Sequence, residues 1–212
     1  MSITVTYLFD PLCGWCYGAS PTVQRLDSRV DIRLELAPTG LFSGRGARAM
    51  DANFAAYAWS NDERIERLTG QRFTEAYRTQ VLNRSGSRFD STAATLALTA
   101  VALTSPKHEL ATLKLLQEAR YVHALDTSAV PVAAQLLRDT GLNAAADRLV
   151  ATDAALLAVN LERIRKAQAL MQTFGAQGVP AMVVADDRGT RLLRGDVLYG
   201  GFGSLLNHLA AA

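Results

Sequence analysis

The sequence predicts an α/β fold in which strands near both chain ends flank a long helical block, and three observations predict it. Residues 3–9 and 31–37 alternate apolar and polar side chains at strand spacing. From Gly46 to about Val150 the apolar residues recur at helical spacing instead. The closing segment returns to short apolar runs separated by a turn before one last helix.

The elements follow in order. Ile3, Val5, Tyr7 and Phe9 alternate with Thr4, Thr6 and Leu8, and these β-branched and aromatic types favour an extended chain. After Asp10-Pro11-Leu12, the stretch from Cys13 to about Arg29 has helical spacing, with Trp15, Val23, Leu26 and Val30 available for a buried face. Asp31–Ala37 alternates again, with Ile32, Leu34 and Leu36 together, which completes a β-α-β unit with a right-handed connection. Helices then follow, broken at Asn83–Gly86, Ser105-Pro106, Asp126–Ser128 and Thr140-Gly141. Ser105 precedes Pro106 as an N-cap before an N1 proline, and Thr127 or Ser128 is placed to cap the helix of Val132 and Leu136. A long helix from Ala154 to Phe174 stops at Gly175. Ala181–Ala185 and Thr190–Arg194 form a hairpin around Asp186–Gly189, and Ser204–Ala212 closes with a helix. Without internal repeats or a low-complexity linker, residues 43–154 read as a helical insertion domain within a domain formed by residues 1–42 and 155–212.

Composition narrows the function. An apolar fraction of 49% in 212 residues suffices for a buried core and excludes disorder. The net charge of +2 is spread along the chain, so no basic patch or acidic tail points to nucleic acid. Apolar stretches from Ala93 and Ala154 are interrupted by polar residues, which excludes a membrane-spanning helix. The first residues lack the charged start and small-residue cleavage site of a secretory leader, so the expected location is cytoplasmic, or periplasmic if a leader has been trimmed away.

Only two cysteines occur, in Cys13-Gly14-Trp15-Cys16, where a strand gives way to a helix. Residues three apart on a helix share a face, close enough for their sulfurs to bond. Cys13 would sit at the helix N-terminus, where unpaired N–H groups and the positive end of the dipole favour a thiolate. Cys16, one turn in, would be the more buried, resolving thiol. A zinc site needs two further ligands, and His108, His123 and His208 stand apart from one another. An inert pair of core cysteines is the other reading, which the placement at a helix start disfavours. A second feature, Gly178-Val179-Pro180, opens the strand at Ala181, a position proline tolerates in either peptide isomer.

This order of strand, Cys-x-x-Cys at a helix start, strand, long helical insertion, Val-Pro hairpin and terminal helix resembles the DsbA family of the thioredoxin superfamily, over nearly the whole chain. The run Asp10–Gly18 is similar in particular to bacterial DsbA-like proteins described as predicted protein-disulfide isomerases. Pro21 falls where thioredoxins carry a helix-kinking proline, and Ala124–Ser128 resembles the segment joining insertion helices. The resemblance implies a thioredoxin-like fold with a central mixed sheet and a large all-helical insertion. It implies a redox-active disulfide and no cofactor. Cys13 would be the attacking cysteine, Cys16 the resolving one and Pro180 a cis-proline packed against the disulfide. Val179, with Gly178 before it, would offer its backbone to an extended substrate segment, and Gly14 and Trp15 would lie beside the sulfurs, Trp15 as an exposed apolar contact or as a core residue.

Departures refine the expectation. Strongly oxidising relatives carry a histidine between the cysteines; Gly14-Trp15 supplies no such charge, so the disulfide should be less oxidising. Tyr7 stands where the family carries a buried acid, leaving Asp10 as the nearest carboxylate, either a substitute or an exposed loop residue capping the helix. The expected activity is thiol:disulfide exchange, reducing or isomerising, with protein thiols or disulfides or glutathione as partners and an unidentified electron donor. Two alternatives are a glutathione-dependent transferase or isomerase of the kappa or 2-hydroxychromene-2-carboxylate isomerase type, in which a serine usually replaces the first cysteine, and a non-enzymatic redox sensor.

Overall fold

The computed structural model describes residues 3–210. A four-stranded mixed sheet runs β2-β1-β5-β6, where β1 is Ile3–Phe9, β2 Ile32–Pro38, β5 Ala181–Asp186 and β6 Gly189–Arg194. β1 pairs parallel to β2 and antiparallel to β5, with Leu8 opposite Ala181 and Tyr7 opposite Met182. That register brings residues 179 and 180 to the end of β1, where α1 (Gly14–Asp27) begins.

Both faces of the sheet are covered. Val5, Tyr7 and Phe9 face α1 and the helices α4 (Thr92–Thr104) and α5 (Glu109–Tyr121), in a core that includes Cys16, Val23, Leu98 and Leu116. Leu8, which alternates with the apolar set of β1, is fully buried, because α8 (Ala154–Phe174) covers that side through Ala167. Asp153 caps α8 by accepting from the Leu156 N–H (2.7 Å), and Gly175 ends it in the left-handed region (φ 69°).

Between β2 and β5 the chain is helical apart from one short strand pair, β3 (Arg48–Ala49) with β4 (Arg88–Phe89). This pair brackets α2 (Ala52–Thr69), which is capped by Asp51 and stopped by Gly70 (φ 74°), and α3 (Glu75–Tyr77), which runs on into a wider turn at Arg78–Leu82. α6 (Val130–Asp139) and α7 (Asn143–Ala151) pack against α4, and α9 (Phe202–Ala210) closes the fold. The predicted caps at Ser105 and at Thr127 or Ser128 do not form: no side chain caps either helix start, and Ala129 occupies the N-cap position of α6. Val30, expected on the buried face, is fully exposed because α1 ends at Asp27 and Val30 belongs to the following turn.

α1 and α2 approach closely along two glycines. A Cβ on Gly14 would stand 2.5 Å from Asp62 Oδ1, and one on Gly18 would stand 2.6 Å from Ile65 Cγ2. Glycines four apart present one bare stripe of α1, into which α2 sets Asp62, Ile65 and Thr69.

Candidate active site

The site grows out of the turn Asp10–Cys13. Asp10, far from being an exposed cap, is completely buried and ties the turn to the helices. Its carboxylate accepts from the Leu12 N–H (2.9 Å), the Phe42 N–H (3.0 Å) and the Ser91 hydroxyl (2.8 Å). Burial raises its pKa, and the three donors act against that rise. With its oxygens so engaged, the group is a structural clamp.

Cys13 is itself the N-cap of α1, with extended backbone (φ −83°, ψ 116°) and its sulfur accepting the Cys16 N–H at 3.4 Å. A helix start normally receives an oxygen here; a sulfur in that place is held where N–H groups favour negative charge. Cys13 is 7% exposed and Cys16 1%, both as free thiols. Burial, followed by the neighbouring Cys13, pushes the Cys16 thiol well above its ordinary value. Of the two sulfurs, Cys13 is the less deeply buried.

The Val179–Pro180 peptide bond is cis, and the Cys13 thiol donates to the Val179 carbonyl at 3.5 Å. Residues 166 apart in sequence thus meet at the end of β1. Pro180 is buried, while Gly178 and Val179 are partly exposed. Trp15 is half-buried, between the two expected extremes: its ring meets the Tyr199 ring edge-on at 5.4 Å, and Arg64 lies 5.6 Å from its centroid.

Three phenols hold the segment from outside. Tyr121 donates to the Leu12 carbonyl (2.8 Å), Tyr199 to the Trp15 carbonyl (2.7 Å) and Tyr7 to the Cys16 carbonyl (3.4 Å). Burial raises all three phenol pKa values, so these hydroxyls stay protonated and serve as donors. Tyr7 is accordingly a neutral phenol at neutral pH.

Two recesses lie on either side of Trp15. An open groove of about 510 Å³ runs past Trp15, Arg64, Val179, Pro180, Asp196 and Tyr199. A cavity of about 260 Å³ on the other side is bordered by Cys13 and Gly14 and walled by aromatic residues, among them Phe42, Phe54, Tyr77 and Tyr121. A third hollow, of about 270 Å³ behind Pro180, is bordered by neither cysteine.

The aromatic cavity also holds a carboxyl group that sequence reasoning missed. Asp62 is 5% exposed, its Oδ2 accepts from the Tyr77 hydroxyl (3.3 Å), and burial pushes its pKa up to about 8 against the pull of that hydrogen bond and of Arg120. The available signal was its place at helical spacing with Ala55, Ala58 and Ile65, an acid within an otherwise apolar stripe. Among the described residues, no group of three His, Cys, Asp or Glu side chains is placed to hold a metal ion, and no helix is long and apolar enough to cross a membrane.

A family model described as DSBA-like thioredoxin domain matches residues 4–201. The cytosolic disulfide reductase DsbM from Pseudomonas aeruginosa is similar in structure, with a TM-score of 0.86 and 28% identity over 99% of this chain and 100% of that one. Its structure with GSH gives a TM-score of 0.83 at 28% identity, covering 98% and 97%. The oxidoreductase DsbA from Xylella fastidiosa shares the fold at 16% identity and a TM-score of 0.56, over 100% of this chain and 88% of that one. No curated protein sequence matches the chain.

Proposed function

The chain belongs to the DSBA-like thioredoxin domain family and is a thiol:disulfide oxidoreductase; on that premise we propose that it works as a disulfide reductase through Cys13 and Cys16, with glutathione-type small thiols and protein disulfides as partners. The observation that carries this reading is the unequal placement of the two sulfurs. Cys13 caps α1 at the border of the aromatic cavity, and Cys16 is buried beneath it, one helical turn away.

The Cys13 thiolate attacks one sulfur of a substrate disulfide, forming a mixed disulfide and expelling the other half as a thiolate. Cys16 then attacks the Cys13 sulfur, closing the Cys13–Cys16 bond and expelling the second thiolate. The two protons lost by the cysteines balance those gained by the products. Val179 and Pro180 border the groove, where the Val179 backbone is placed to pair with an extended substrate segment, and Trp15 gives that segment an apolar surface. The dipeptide between the cysteines supports the reducing direction: Gly14 and Trp15 bring no positive charge to stabilise the reduced form, which makes the disulfide less oxidising. The DsbM relative, described as a cytosolic disulfide reductase and also seen with GSH, supports both the direction and the small-thiol partner. A cytoplasmic location fits the same reading.

The test is a pair of variants assayed for glutathione-disulfide and insulin reduction. Cys13→Ser should abolish turnover, and Cys16→Ser should accumulate a mixed disulfide on Cys13 visible by intact mass. Full activity in the Cys13 variant refutes the mechanism.

A further inference from the structure

The exchange reaction expels a thiolate at each step, and a thiolate leaves more readily when a proton awaits it. Asp10 is committed to three donors, and the phenols of Tyr7, Tyr121 and Tyr199 donate to backbone carbonyls. Asp62 is placed differently. Only its Oδ2 is engaged, by Tyr77; Oδ1 lies against Gly14, the neighbour of the attacking cysteine, in the cavity that Cys13 also borders. An ionised carboxylate with an unpaired oxygen among aromatic walls is costly, so the cavity keeps this group as the neutral acid.

We propose that Asp62 is a general acid of the exchange, giving its proton to the thiolate expelled when Cys13 attacks a disulfide whose departing half occupies the aromatic cavity. This assignment rests on Cys13 being the nucleophile. In the step, the new bond forms between Cys13 and the proximal substrate sulfur while the substrate S–S bond breaks. The electron pair leaves on the distal sulfur, which takes the proton from Asp62. The resulting carboxylate is reprotonated by water entering at the cavity mouth, where Arg48 and Tyr57 stand.

The charged and titratable groups facing Asp62 are consistent with this task. Tyr77 and Tyr121 are neutral phenols from the neighbouring helices, and Cys13 borders the same space. Arg120 is the buried cation behind them, lying over the Tyr77 and Phe89 rings and reaching Asp126 at 3.5 Å. Its charge lowers the Asp62 pKa without overcoming burial, which leaves the acid titrating near 8, close to an ordinary cysteine thiol at about 8.5. Donor and acceptor are thus matched for proton transfer near neutral pH.

The experiment compares two substrates with wild type and Asp62→Asn, which keeps the shape of the side chain and cannot donate that proton. An alkyl disulfide such as glutathione disulfide releases a basic thiolate that needs the acid; an aryl disulfide such as 5,5′-dithiobis(2-nitrobenzoate) releases a weakly basic one that does not. Asp62→Asn should lower kcat/KM for the alkyl disulfide by about 10²-fold and for the aryl disulfide by less than about threefold. In the wild type, an activity loss above pH 8 should appear with the alkyl substrate only, which tests the claim without any variant. Equal losses for both leaving groups, no loss with either, or the same pH profile for both substrates overturns the assignment. Failure of the underlying reading is seen separately, as an active Cys13→Ser variant.

Discussion

Gly14→Ala is the smallest change that tests how tightly α2 closes over the cysteine turn. The added methyl group would stand 2.5 Å from Asp62 Oδ1 and 3.1 Å from Ile65 Cδ1, the first of these almost 1 Å inside ordinary van der Waals contact. Asp62 cannot swing aside cheaply, since it is buried and held by Tyr77. Overpacking of this kind costs about 1–3 kcal/mol, and the exchange of glycine for alanine at a helix position returns about 0.5–1 kcal/mol. The net loss should be about 1–2 kcal/mol, a fall in Tm of about 2–8 °C for a chain of this size. Urea unfolding of Gly14→Ala, Asp62→Ala and the double variant provides the assay. With the carboxyl removed only the milder Ile65 contact remains, so Gly14→Ala should be close to neutral in that background, a coupling of about 1–2 kcal/mol. An equal cost in both backgrounds, or none in the parent, refutes the close approach of these two helices.

Three further outcomes are expected. The folded Asp62 holds its proton to about pH 8, while an unfolded aspartate releases it near 4. Between those values the folded state binds the extra proton, so this group's contribution to stability falls as pH rises, by roughly 2–5 kcal/mol across the window. Urea midpoints at pH 5 and pH 8.5 should therefore differ more for the wild type than for Asp62→Asn, and parallel shifts would contradict the burial argument. Tyr121→Phe deletes the donor to the buried Leu12 carbonyl and should cost about 1–2 kcal/mol by thermal or chemical unfolding; an unchanged midpoint would show that the bond contributes nothing. Trp15→Ala removes apolar surface common to both recesses and should reduce kcat/KM for glutathione disulfide about tenfold, equivalent to ~1.4 kcal/mol, with little change in Tm. Unaltered kinetics would place the substrate elsewhere.

The legible parts of the fold were those written in local pattern. Alternation marks β1 and β2, and the Asp153 start and Gly175 stop bound α8 with no tertiary information. The two-residue strands β3 and β4 carry no period at all and exist because α2 and its neighbours bring Arg48 and Phe89 together. Alternation describes a sheet with one wet face and puts Leu8 there, whereas α8 buries that second face. In the site, the cysteine pair is visible as a spacing at a strand-to-helix junction. That Val179 lies against Cys13 depends on the pairing of β1 with β5, which no window of sequence contains. Asp62 was hardest to foresee: its meaning comes from Gly14, 48 residues earlier, through a helix crossing that only two missing side chains hint at.

The turn bearing the sulfurs is anchored mainly by residues foreign to the strand and helix it joins. Phe42 and Ser91 hold Asp10, Tyr121 holds Leu12, and Asp62 abuts Gly14. The helices that interrupt the sheet are therefore no detachable ornament. A miniature pared down to the strands and α1 would forfeit the shape of its own reactive loop, and a transplant of the four-residue redox motif into a related scaffold would succeed only if its overlying helix travelled with it.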